Sequence, residues 1–167
     1  MASKTETLYF SSPVWLQNLM VSAMGYKLYR KRYTGIYHEL RELVRASRAW
    51  SAQQREAYQA EQLHDLIRYC RLSIPYYQKL FAEYGLSEQS FTQVSDLAKL
   101  PILDKQTLRT RGHEFCAPNA KPFMIQHTSG STGTPLALYV NERTYKLAMA
   151  LLVDHEEYHG VPFGARR

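Results

Sequence analysis

The chain has 167 residues, 45% of them apolar and 22% charged, with 21 Lys plus Arg against 15 Asp plus Glu and a formal charge of +6. That length and composition fit one globular domain and exclude wholesale disorder and collagen-like repeats. Two cysteines, Cys70 and Cys116, exclude a disulfide scaffold and a four-cysteine zinc site and fit a reducing cytoplasm.

The charge is concentrated at one end. Residues 1–50 hold eight Lys or Arg and three Glu, a net of +5, which leaves +1 for the remainder. No stretch approaches the roughly 20 apolar residues of a membrane-spanning helix. The apolar run from Pro13 to Met24 is interrupted by Gln17 and Asn18. It lacks a basic leader and a small-residue cleavage site, so it does not read as a signal peptide. The expectation is a soluble, cytoplasmic protein.

From Ser11 to about Trp50 the pattern is helical, with a break expected near Gly25. Ile36, Leu40, Leu43 and Val44 form one apolar helical stripe. Ser51 followed by Gln54 has the form of a capping box and opens a second long helix, whose buried face is marked by Leu63, Leu66, Ile67 and Cys70. Ile74-Pro75 starts a short helix that Gly85 ends. Ser95-Asp96 and Asp104 read as caps of two more short helices, separated by Pro101.

After Gly112 the texture changes. Phe123, Ile125 and His127 alternate with Met124 and Gln126, a period of two that predicts a strand. Small hydroxylated residues and glycines follow, and Leu136 to Val140 alternates again. Asn141 then caps a final helix of about five turns, ending at Gly160-Val161-Pro162. The chain reads as α/β, mainly helical over 1–112 and strand–loop–strand–helix over 113–167. With only two strands before Arg167, it reads as truncated.

The most informative stretch is Thr128-Ser129-Gly130-Ser131-Thr132-Gly133-Thr134-Pro135. Glycine lets backbone N–H groups turn inward and approach an anion, and Ser and Thr hydroxyls add donors to phosphate oxygens. No Lys follows the second glycine and the flanks read as two strands, so this is not a Walker loop. The bland alternative is a flexible Ser/Gly hairpin turn.

This stretch resembles the phosphate-binding signature of adenylate-forming enzymes, the superfamily of acyl-CoA synthetases, luciferases and peptide-synthetase adenylation domains. Ile74-Pro75-Tyr76-Tyr77, the run from Asp96 to Lys105, and Gln126-His127 before the loop are similar to the phenylacetate–CoA ligase branch. Leu16-Gln17-Asn18, Gly25 and Arg32-Tyr33 resemble a capsular polysaccharide biosynthesis, CapK-like, sub-branch. The resemblance implies the N-terminal part of a large adenylate-forming domain, with the small C-terminal domain absent. It implies a carboxylic acid activated with ATP and Mg²⁺ to an acyl adenylate, then transfer of the acyl group to a nucleophile such as CoA. Thr128, Ser129, Gly130, Ser131, Thr132, Gly133 and Thr134 would then wrap the β- and γ-phosphates. The family's adenine, ribose and catalytic-lysine motifs lie downstream and have no counterpart here, so these 167 residues are expected to be inactive alone.

Two other constellations compete. Tyr26, Tyr29, Tyr33 and Tyr37 fall at helical spacing among Lys27, Arg30, Lys31 and Arg32. This is either an anionic-partner surface on a non-catalytic interaction module, weak membrane-surface binding included, or a tyrosine stripe packed on a neighbouring helix. Packing is the favoured reading, and no nucleic-acid partner is expected. His155-Glu156-Glu157-Tyr158-His159 matches H-E-x-x-H, which on a helix can bind zinc with a Glu as general base. A third ligand would have to come from His127, His113 or an upstream carboxylate. Without one the segment is an amphipathic helix end, and no metal site is assigned. Cys70 reads as a small core residue, and His64-Asp65 as neighbours that point apart.

Overall fold

A computed structural model describes residues 4–128 and 135–165. The described chain is mostly helical and carries one two-stranded antiparallel sheet. It divides into two compact units, Met1–Arg45 with Arg143–Arg167, and Ala46–Glu142.

The first unit contains helices α1 (Lys4–Ser11) and α2 (Val14–Tyr33), most of α3 (Tyr37–Ser47), and nearly all of α7 (Glu142–Tyr158). The break expected at Gly25 does not occur. A single helical glycine costs only about 1 kcal/mol relative to alanine, and α2 runs through it. The chain turns instead at Gly35, whose φ of +62° suits glycine. A second break lies at Ser12-Pro13, because proline disfavours helix in the residue before it. The predicted stripe forms the core: Leu40 and Val44 are buried with Tyr37 and Ala150, flanked by Ile36, Leu43 and Leu147. Glu157 of α7 pairs with both Arg41 and Arg45 of α3. These guanidinium groups hold its carboxyl below the usual range.

The second unit is built on α4 (Ala52–Ser73), α5 (Pro75–Glu83) and α6 (Lys105–Thr110), with short 3₁₀ turns between them and a terminal hairpin. The Ser51–Gln54 box is reciprocal. Gln54 N–H donates to Ser51 Oγ at 3.2 Å, and Ser51 N–H to Gln54 Oε1 at 2.8 Å. Helix α5 opens on Pro75 and closes in a Schellman motif at Gly85, where Leu86 N–H donates to Phe81 C=O at 2.9 Å. Leu63, Ile67, Phe81 and Phe91 make the core, with Cys70, Tyr77 and Leu86 packed against them. Burial pushes the Cys70 thiol up, as suits a small core residue.

Two expectations fail here. Leu66 is 55% exposed, because it lies about 40° beyond Cys70 on the helical wheel, at the rim of the covered arc. Asp96 does not open its helix. The 3₁₀ turn Val94–Lys99 starts after Gln93, and the Asp96 carboxylate reaches back to accept from the N–H groups of Thr92 and Gln93 at 2.9 and 3.0 Å. Asp104 does cap α6, accepting from Thr107 N–H at 2.8 Å.

Candidate functional site

Strands β1 (Met124–His127) and β2 (Ala137–Val140) pair antiparallel, with Met124 opposite Val140 and His127 opposite Ala137. The ladder continues one step past the strand ends. Thr128 N–H donates to Leu136 C=O at 3.0 Å, and Leu136 N–H donates back to Thr128 Oγ1 at 3.0 Å. This pair of hydrogen bonds ties together the two residues that flank the stretch 129–135. A hydroxyl that accepts still keeps its own proton, so Thr128 retains an O–H donor. Ser129, Gly130, Ser131, Thr132, Gly133 and Thr134 lie outside the described residues. The alternation that predicted the strands does not bury a face of the hairpin: Ile125, Leu138 and Tyr139 are all exposed.

Beside the hairpin, within the same unit, lies a cleft of about 430 Å³ lined by Tyr69, His113, Phe115, Lys121 and Tyr139 among others. Between two of its lining residues, His113 and Phe115, Glu114 belongs to an ion-pair group. Arg111 bonds Glu114 through Nε at 2.8 Å and Nη2 at 2.9 Å, and Lys79 bonds the same carboxylate at 3.0 Å. These partners bring the Glu114 carboxyl down to about 2. Phe115 stacks on Tyr76 at 4.1 Å, and the Arg111 guanidinium lies 4.9 Å from the Tyr76 ring centre. Aromatic walls with an ammonium and an imidazole suit a flat apolar body carrying a polar or anionic end. No local pattern announces this cleft, because its lining comes from four separated segments.

The competing constellations resolve as follows. His155 and His159 stand with ring centres 4.5 Å apart, as one helical turn dictates. Among the described residues no group of three or more His, Cys, Asp or Glu is placed to hold a metal. Next to them, Glu157 is committed to Arg41 and Arg45. His64 lies 3.9 Å from Asp65 and 4.0 Å from Glu88, both beyond hydrogen-bond reach. The tyrosine stripe divides. Tyr37 is buried and Tyr33 packs on it at 5.2 Å, whereas Tyr26 and Tyr29 are exposed. Tyr29 still meets the Tyr33 ring at 5.6 Å, so packing accounts for the stripe except Tyr26.

No protein-family model matches the chain, and no solved structure is a significant match. Curated proteins do match. Over 160 residues, 96% of this chain, it is 26% identical to Protein CapK of Staphylococcus aureus. It is 28% identical over 93 residues to a phenylacetate-coenzyme A ligase of Thermus thermophilus, and 30% identical over 87 residues to one of Escherichia coli. The chain spans about a third of CapK (34%) and about a fifth of each of the two ligases (21% and 20%). No helix among the described residues is long and apolar enough to cross a membrane. With one relative aligned along nearly its whole length and ligases along half of it, these likenesses support a phenylacetate–CoA ligase/CapK-like branch for the chain.

Proposed function

We propose that this chain carries the nucleotide-phosphate site of an ATP-dependent, carboxylate-activating ligase. In this reading residues 1–112 are the helical part and 113–167 the loop-bearing part of its large domain. The observation that carries the proposal is the Thr128–Thr134 sequence set between two paired strands, with Thr128 and Leu136 tied by a pair of hydrogen bonds. The relatives named as phenylacetate-coenzyme A ligases support a carboxylic acid and CoA as the reacting partners.

The chain's own part in such a reaction is electrostatic. The amides and hydroxyls of the Thr128–Thr134 sequence would hold phosphate oxygens and stabilise the charge on departing pyrophosphate without covalent chemistry. Thr128 fits this role, since its hydroxyl is oriented by Leu136 N–H and keeps a proton to donate. ATP, with Mg²⁺, supplies the phosphoryl electrophile when bound. A role in polysaccharide synthesis is the further step that the CapK likeness suggests.

The test is equilibrium binding of Mg²⁺–ATP and of pyrophosphate to the chain and to any longer native product, with Gly130→Ala/Gly133→Ala as the variant. Two added Cβ atoms would block close backbone approach to the anion. We expect at least a tenfold loss of affinity with helix content unchanged. Unchanged affinity in the variant, or no binding by either form, overturns the proposal.

A further inference from the structure

Helix α2 contradicts the usual logic of a 20-residue helix in a globular protein: none of its residues is buried. Phe10 of α1 and Val14, Trp15 and Leu19 of α2 are each more than half exposed. From Thr7 to Tyr26, twenty residues pass without a charge, and then Lys27, Arg30, Lys31 and Arg32 arrive within six. Apolar residues surround the N-terminal limb of α2 on all sides, so the helix is amphipathic along its length instead of across it.

The break between α1 and α2 is also unusually self-sufficient. Ser11 and Ser12 hydroxyls donate to Leu8 C=O at 3.1 and 2.6 Å, and the Gln17 amide donates to Ser12 C=O at 2.8 Å. The Pro13 carbonyl accepts from Leu16 and Gln17 N–H. Proline itself has no N–H to satisfy. A chain reversal or kink facing hydrocarbon needs this internal satisfaction, because no water is there to provide it.

We propose that the α1–α2 limb docks into one leaflet of an anionic phospholipid surface, with exposed Lys27 and Arg30 at the headgroups. Val14 to Tyr26 rises about 20 Å, enough to enter one leaflet of a hydrocarbon core about 30 Å thick and too short to cross it. Tyr26 and Tyr29 fall at the level where the apolar limb meets the basic collar, the position amphipathic rings favour at a membrane interface. Of the basic collar, the exposed Lys27 and Arg30 are complementary to anionic lipid, whereas Arg32 donates to the Tyr145 hydroxyl at 3.2 Å. The inference is independent of the ligase reading.

The test uses the full chain with Trp50→Phe, so that Trp15 alone reports. It is mixed with vesicles of 3:1 phosphatidylcholine and phosphatidylglycerol, or of phosphatidylcholine alone, at 0.1 M salt, where the Debye length is about 10 Å. We expect co-sedimentation with the anionic vesicles and quenching of Trp15 by bromines on the acyl chains. Lys27→Glu/Arg30→Glu should weaken binding at least tenfold, and Leu19→Asp should abolish the quenching. Neither set should lower the melting temperature in solution, since α2 buries no residue. Absence of binding, binding unchanged by Leu19→Asp, or a stable dimer that shields Trp15 without lipid overturns the proposal.

Discussion

The Lys146 ammonium, on a residue only 4% exposed, donates to the main-chain carbonyl of Thr34 at 2.7 Å. A side chain on α7 thereby fixes the turn between α2 and α3, across 112 positions of sequence. The same nitrogen would stand 3.4 Å from a Cβ placed on Gly35. Burying a cation is costly unless it is hydrogen-bonded, so carbonyl and ammonium depend on each other. Replacing Lys146 with Met keeps most of the stem and leaves the carbonyl without this donor. Urea denaturation should show a loss of about 1–3 kcal/mol.

A second expectation separates shape from polarity in the same core. Tyr37 is 1% exposed, and its hydroxyl has no hydrogen-bond partner among the described residues. Burial also pushes its pKa up. Tyr37→Phe removes the unsatisfied oxygen and keeps the ring that Tyr33 packs against. Its thermal midpoint should equal or exceed the parent's, by up to about 1 kcal/mol of stability. Leu40→Ala, one helical turn away, opens a cavity and should cost about 2–5 kcal/mol.

The third concerns acid. Glu114 titrates near 2 in the folded chain against an ordinary 4.5, because Arg111 and Lys79 favour its charged form. A depressed carboxyl contributes stability above its unfolded pKa and loses it as pH falls through the folded value. Melting temperatures of the parent and Glu114→Gln should therefore differ at pH 6, with the variant lower. The two should converge between pH 4.5 and about 2. Parallel curves over that window would show that the carboxylate contributes nothing pH-dependent.

Local chemistry was legible in the sequence, and three-dimensional company was not. The Ser51–Gln54 box, the Pro75 start, the Gly85 stop and the Asp104 cap are each set by residues within a few positions of one another, and the fold has them all. Gly25 misled because helix interruption depends on which of two glycines the turn needs, and packing placed it at Gly35. Asp96 misled because a carboxylate can satisfy backbone donors from inside a turn as well as from its start. The likeness to the ligase branch was readable because Ile74-Pro75-Tyr76-Tyr77, the run from Asp96 to Lys105, and Gln126-His127 with the stretch after it are each contiguous. The cleft was not readable, since Tyr69, His113, Lys121 and Tyr139 meet only after folding.

The division of the first unit between residues 1–45 and 143–167 has a consequence in time. The hairpin's partners lie 10 to 16 positions apart, so it can zip as soon as it leaves the ribosome. Leu40 and Val44 must wait for Ala150, more than a hundred residues later. At typical synthesis rates of about 5–20 residues per second, that apolar stripe stays uncovered for roughly 5–20 s. The opening helices of this chain therefore spend their first seconds as clients of whatever shields nascent apolar surface, and the yield of folded protein should track that protection more closely than final stability.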